Sequence, residues 1–518
     1  MSRIDLRDDR VVVIIGSGAG GGTLANELCQ RGVRCVVLEA GPRLSFADFE
    51  QDEFAMARKL VPADGPEVTS RAPLNQSRPY VCRAVGGTTI HWSGIALRLQ
   101  ESELRARTTY GPIAGANLID WPVSSSELAP YYERAEDKLG VTGTHGIPLL
   151  PANNNFKVFY NGAKQLGYRR VTTGRLAINS RPRDGRPGCL QLGFCLQGCK
   201  IGAKWSTLYT EIVKAEATGR LDLRPRCTAL QIQHDKRGRV SGVLYADAAG
   251  RLEVQKAHVV CVAANAVESS RLLLNSASSR YPDGMANSSG QVGRNYMTHS
   301  HSFVMARMPK PVHAWRGTIQ AGLLEDERRH DEARGFASGY LLQTIAFGLP
   351  FTVLAMKPGA WGKELADFMR SYPRLAGLVI LGEDLPQAGN RVTLSKQGKD
   401  RFGMPVASIY REHHPNDRAL LQHAIQRATE LYKGVGAEEV HVQDAAGSTH
   451  NMGTNRMSAS PRDGVVNSWG QTHDITNLFV ADGSQFSSSG AANPTLTIVA
   501  LAVRQAQYIA RQLGARAL

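Results

Sequence analysis

Long apolar runs are missing from this sequence. The opening MSRIDLRDDR is charged throughout, and the run that follows, Val11 to Ile15, ends at Gly16. Near the C-terminus the apolar stretch Ile498 to Val503 is bounded by Thr497 and Arg504, far short of the roughly 18 to 20 residues a spanning helix needs. The sequence therefore predicts a soluble chain with no Sec signal peptide and no transmembrane segment of its own. Cysteine is scarce as well: 8 in 518 residues exclude a disulfide scaffold. No residue type or short repeat dominates any stretch, which excludes fibrous, repeat and disordered classes. Basic runs interleaved with aromatics are absent too, so the formal charge of +15 does not read as a nucleic-acid footprint; an acidic protein or an anionic membrane surface suits it better.

What is present suits a two-domain enzyme, because 518 residues exceed the roughly 250 to 300 at which one core stops growing. Arg10 to Ile15 reads as a strand buried on both faces of a parallel sheet, Gly16 to Gly22 breaks it, and Thr23 to Arg31 has helical spacing. Val33 to Leu38 is a second strand, giving a β-α-β unit with a right-handed crossover. Asp48 to Leu60 is a predicted helix and Pro62 to Pro79 a loop. Leu221 to Ala264 reads as short strands with turns at Lys236-Arg237-Gly238 and Ala248-Ala249-Gly250, ending in a buried strand, Ala257 to Val262, before a helix from Ala266 to Leu274. Ser300 to Glu439 is less regular, lacks a phosphate-type glycine loop and is assigned to substrate binding. The chain closes on a strand, Leu478 to Val480, a turn at Asp482-Gly483 and a helix from Pro494 to Leu513.

Gly16-Ser17-Gly18-Ala19-Gly20-Gly21 fits GxGxxG. In that pattern Gly16 makes the turn, Gly18 lets backbone approach a pyrophosphate, and Gly21 lets helix pack on strand. Glu39 ends the next strand, placed for a ribose hydroxyl, which favours FAD or NAD over a 2′-phosphorylated nucleotide. Cys189, Cys195 and Cys199 form C-x5-C-x3-C in a glycine-containing segment. Three thiolates so spaced can hold a three-iron cluster or, with a fourth ligand, zinc; three reduced thiols packing a loop is the structural alternative. His450 lies in a polar loop, Ser448 to Thr454, where a histidine near neutral pKa can take a hydroxyl proton.

The fingerprint, the segment Arg83-Ala84-Val85-Gly86-Gly87-Thr88-Thr89-Ile90-His91-Trp92 and the turn Asn493-Pro494-Thr495-Leu496 together resemble the glucose-methanol-choline (GMC) oxidoreductases over most of the chain. Within that family the sequence is most similar to flavin subunits of bacterial sugar dehydrogenases, and then to pyranose 2-oxidase. The resemblance implies an α/β fold in which a Rossmann-like FAD-binding domain (residues 1–100, 181–300 and 445–518) is interleaved with an α+β substrate-binding domain (101–180 and 301–444). It implies that Gly86, Gly87, Thr88 and Thr89 lie against the flavin and that His91 is either its covalent link or a packing histidine. Asp482 would meet the cofactor, and the helix opening at Pro494 and Thr495 would set its positive end by the flavin ring. His450 would be the base, with Asn493 bonding the same oxygen.

The cysteine spacing resembles the loop that carries a 3Fe-4S cluster in FAD-dependent glucose and fructose dehydrogenases, with Lys200 where those relatives often have proline. The activity so implied is hydride removal from a secondary or hemiacetal hydroxyl of a sugar, glycoside, sugar acid or polyol. Electrons would pass to a cytochrome c or quinone alongside a small accessory subunit, in a periplasmic, inner-membrane-associated location; the alternative location is cytoplasmic. The rival readings are an oxygen-reducing oxidase and a non-catalytic zinc-containing binding protein.

Overall fold

The computed structural model describes residues 4–61, 65–69, 79–443 and 449–518. Ser448 and most of the predicted loop from Pro62 to Pro79 lie outside them. Within that predicted loop, Glu67–Thr69 is a strand, paired in parallel with Pro405–Tyr410.

Five strands form a parallel sheet in the order Leu478–Val480, Val259–Val262, Val12–Ile15, Cys35–Glu39, Leu221–Pro225. Its central strands are buried along their whole length, as continuous β-branched runs require when helices cover both faces. The first helix spans Ala19–Gln30 and so begins inside the glycine run, four residues before the apolar spacing predicts. Tertiary contact overrides the poor helix propensity of glycine there: a Cβ on Gly20 would lie 1.6 Å from the Ala481 carbonyl oxygen, and one on Gly21 2.1 Å from that of Gly16. The C-terminal helix, Thr495–Gly514, packs against Ala19–Gln30 and against Ser125–Leu139. The predicted helix from Asp48 is shorter, Glu53–Leu60, because the Asp52 carboxylate accepts from Ala55 N at 2.8 Å and starts it there.

The stretch from Ser300 to Glu439 is more regular than its sequence suggests. It supplies most of a six-stranded antiparallel sheet, in the order Glu439–Gln443, Ser300–Arg307, Leu375–Gly382, Tyr340–Thr344, Leu323–Leu324, Val171–Thr172. The central strand, Leu375–Gly382, is buried at every position, so it lacks the alternation that marks a half-exposed strand. The helices Pro415–Gly434 and Asn154–Gln165 cover one face with Leu420, Ala424, Ala428 and Phe159. The opposite face looks toward the parallel sheet across a cavity of about 640 Å³. All eight cysteines are free thiols, and no helix among the described residues is long and apolar enough to cross a membrane.

Candidate active site

One end of the cavity is built from backbone. Gly16 takes φ +98°, and a Cβ there would meet the Ala263 carbonyl oxygen at 2.4 Å. Across the cavity floor Gly87, at φ +52°, would place a Cβ 2.9 Å from the Cα of Gly18, so the two loops touch without side chains. Ser17 ties them together: its Oγ accepts from Gly86 N at 3.0 Å and donates to Glu39 Oε2 at 2.7 Å. Gly41 N donates to the other Glu39 oxygen at 2.9 Å, and burial raises this carboxyl above its ordinary value. The helices that start at Ala19 and Thr495 both open into the cavity with no side-chain cap and no acidic residue in the first turn. Their first N–H groups are thus left for an anionic or carbonyl partner.

His91 also lines this space. It is buried, meets Tyr80 edge-on at 4.5 Å between ring centres, and its Nε2 has no partner among the described residues. Burial, with the Lys204 ammonium nearby, pushes its pKa down to about 3. A glycine cradle, two uncapped helix starts and an orphaned ring nitrogen together fit a dinucleotide-linked flavin. Not every predicted contact faces the cavity. Gly21 packs helix on strand, and Gly86 and Thr89 stand behind the wall, Thr89 Oγ1 donating to the Gly86 carbonyl and bonding Ser206 Oγ at 2.8 Å. Thr88, Asp482, Pro494 and Thr495 do line it; Asp482 is held by Ser269 Oγ and by Ser484 N at 2.9 Å.

His450 and Asn493 line the same cavity, and two side chains without any sequence motif orient them. His299 Nε2 bonds the Gly490 carbonyl at 2.7 Å. A carbonyl only accepts, so that nitrogen carries the hydrogen and neutral His299 presents a lone pair at Nδ1. His450 must then donate from its own Nδ1 across the 2.7 Å that separates the two rings' Nδ1 atoms. A neutral His450 so held has its lone pair at Nε2, the tautomer a base needs. Burial keeps both rings neutral: it lowers His299 to about 4 and His450 well below the ordinary value, the neighbouring imidazoles adding to the shift. Gln343 Nε2 donates to Asn493 Oδ1 at 2.7 Å, which leaves Asn493 Nδ2 as the donor toward a substrate oxygen.

The cysteine loop is the wall between this cavity and a smaller one of about 40 Å³. Leu196 and Gln197 line the large cavity, whereas Cys189, Cys195 and Cys199 line the small one. Backbone N–H groups point at two sulfurs, from Gln191 to Cys189 at 3.3 Å and from Lys204 to Cys199 at 3.4 Å. Burial pushes Cys189 up to about 12 and raises Cys195. Lys204, unmarked in the sequence, is buried and clamps the loops together, donating to Ile90 O at 2.7 Å, Trp92 O at 2.6 Å and Cys195 O. Among the described residues, the ligand atoms gathered within 4.8 Å belong to Glu133, Glu136 and His145, and Arg98 already binds both glutamates.

Family models described as GMC oxidoreductase match residues 70–301 and 386–502, and a Rossmann-like NAD(P)-binding model matches 14–56. The chain belongs to the GMC oxidoreductase family. Its relatives include 2-methyl-1,2-propanediol dehydrogenase of Mycolicibacterium austroafricanum, 35% identical over 98% of this chain and 96% of that one. The fructose dehydrogenase large subunit of Gluconobacter japonicus is 31% identical, covering 97% and 98%, and paromamine 6'-oxidase of Streptomyces fradiae is 30% identical, covering 98% and 93%. Among solved structures, pyridoxine 4-oxidase from Mesorbium loti superposes with a TM-score of 0.70 at 17% identity, covering 96% of this chain and 98% of that one, which shows the fold alone. This GMC member is thus an FAD-type oxidoreductase acting on CH–OH groups.

Proposed function

We propose that the chain is a dehydrogenase for a sugar, glycoside or related polyol, with His450 as base and an acceptor other than NAD or oxygen. The tautomer-fixing pair His299–His450 carries this reading, because it leaves a neutral lone pair at a cavity that also fits the flavin. The substrate hydroxyl gives its proton to His450 Nε2, and Asn493 Nδ2 donates a hydrogen bond to the same oxygen. FAD, when bound, supplies the hydride acceptor. Gly16, Gly18 and the helix start behind them would hold its diphosphate, and the uncapped N-terminus at Thr495 would favour negative charge on the reduced ring. Purified protein should contain about one FAD per chain, and acid precipitation should leave it on the protein if His91 Nε2 is the covalent link. NAD alone, or no nucleotide, would overturn the assignment; flavin released by acid would reject only the link.

A 3Fe-4S cluster held by Cys189, Cys195 and Cys199 would supply one-electron transfer. The thin wall at Leu196 and Gln197 and the N–H groups aimed at the sulfurs support it. Changing any of the three to Ser should leave flavin reduction by substrate intact and slow electron delivery to cytochrome c or a quinone. Both half-reactions are measured on the same variant, and iron-free protein that reduces its acceptor at full speed would favour an oxygen-reducing oxidase instead. An accessory subunit and a periplasmic, membrane-associated setting complete the proposal; one relative is itself the large subunit of a fructose dehydrogenase.

A further inference from the structure

The inner face of the antiparallel sheet forms the cavity wall next to His450 and Asn493. Directly opposite one another across four strands stand Gln443, Phe303, Val379 and Gln343. Phe347 and Phe351 extend this wall, with ring centres 5.3 Å from Phe303 to Phe347 and 6.5 Å from Phe347 to Phe351. Phe351 and Leu354 belong to the helix Leu349–Met356, whose sequence LPFTVLAM contains no charged residue.

Polar capacity on this wall is small and already committed. Gln320 Nε2 donates to Gln343 Oε1 at 3.3 Å, and Gln343 donates onward to Asn493. Gln443 Oε1 is a buried acceptor with no partner among the described residues. His301 is kept neutral by burial. Of the arginines that line the cavity, Arg83 stands near Glu39, Arg271 pairs with Glu268 and Asp400, and Arg401 packs over the Phe402 ring; none of the three is on a strand of the sheet face. Among the described residues, then, no lysine or arginine on this wall could pair a substrate carboxylate. A free hexose would bury several hydroxyls against phenylalanine, each losing its hydrogen bonds to water without replacement. An aryl or branched alkyl group would instead find an aromatic surface of its own kind.

We propose that the substrate is a neutral alcohol with a compact apolar body, aryl or branched alkyl, carrying the oxidised hydroxyl and at most one or two others. This rests on the alcohol-dehydrogenase reading and narrows it: a free hexose, a sugar acid and a glycoside with more than two further free hydroxyls fall outside it. The unpartnered Gln443 oxygen accepts a hydrogen bond from the second hydroxyl.

The test uses the FAD-loaded protein with phenazine methosulfate as acceptor and phenylethanediol, D-glucose and D-gluconate as substrates. kcat/KM for phenylethanediol should exceed both others by about a hundredfold or more, the scale on which a pocket rejects a ligand whose polar groups it cannot pair. Replacing Phe347 and Phe351 together by Gln should shrink that ratio about tenfold, mainly by raising KM for the diol, with the flavin content per chain showing that the fold persists. Calorimetric titration with acetophenone, which is not oxidised, should show binding to the parent protein and weaker binding to the double variant. Faster turnover of D-glucose or D-gluconate than of phenylethanediol would overturn this inference and leave the dehydrogenase reading standing. Flavin that no alcohol reduces would overturn both.

Discussion

His450→Ala should lower the rate of flavin reduction by alcohol about 10² to 10⁴-fold while FAD stays bound, the range expected when a positioned general base is lost. The cofactor contacts named above come from Gly16, Gly18, His91 and the helix starts. In the parent protein kcat/KM should stay level down to about pH 6.5 and fall only below it. The sign follows from the burial that lowers His450 and His299 beneath the ordinary 6.5: above its depressed pKa the base is neutral and able to accept a proton. An acid limb at or above 6.5, or near-normal turnover of the alanine variant, would assign the proton to another group.

His299→Leu should cost roughly tenfold to a hundredfold in the same step, the scale seen when a partner that fixes a histidine's tautomer and ring orientation is removed. Leucine offers no acceptor to His450 Nδ1, so the ring is free to carry its hydrogen at Nε2, where it cannot take a proton. His299→Gln separates orientation from packing. Its amide oxygen can accept from His450 while its NH₂ donates to the Gly490 carbonyl, so the glutamine variant should recover much of the rate with the same urea midpoint as the leucine variant. Equal losses in the two variants would mean that His299 only fills space.

What was legible in the sequence was local. The turn at Gly16, the helix after Gly18 and the strand ending at Glu39 form one unbroken unit of chain, so their spacing carries the geometry. His450 and Asn493 stood out because each lies in a polar turn with a recognisable neighbourhood. His299 and Gln343 did not, since each reaches the site through pairings between strands distant in sequence. His299 sits just before Ser300–Arg307, and Gln343 faces the cavity only because its strand pairs with Leu375–Gly382. Buried strands without alternation hid that sheet altogether. In the glycine-rich segment the spacing did not announce that Gly86 N donates to Ser17 Oγ or that Thr89 Oγ1 bonds Ser206 Oγ, since those partners too come from other segments. Lys204 was unreadable for a related reason, because its three acceptors come from segments more than a hundred residues apart.

The most direct test of alcohol oxidation at this site is anaerobic mixing of the FAD-loaded protein with an alcohol it oxidises, protiated or deuterated at the carbinol carbon, followed by flavin absorbance. The account predicts bleaching of the oxidised flavin in a single turnover, slower for the deuterated alcohol and abolished on that timescale in His450→Ala. Flavin that stays oxidised, or bleaches as fast in His450→Ala as in the parent, would contradict it.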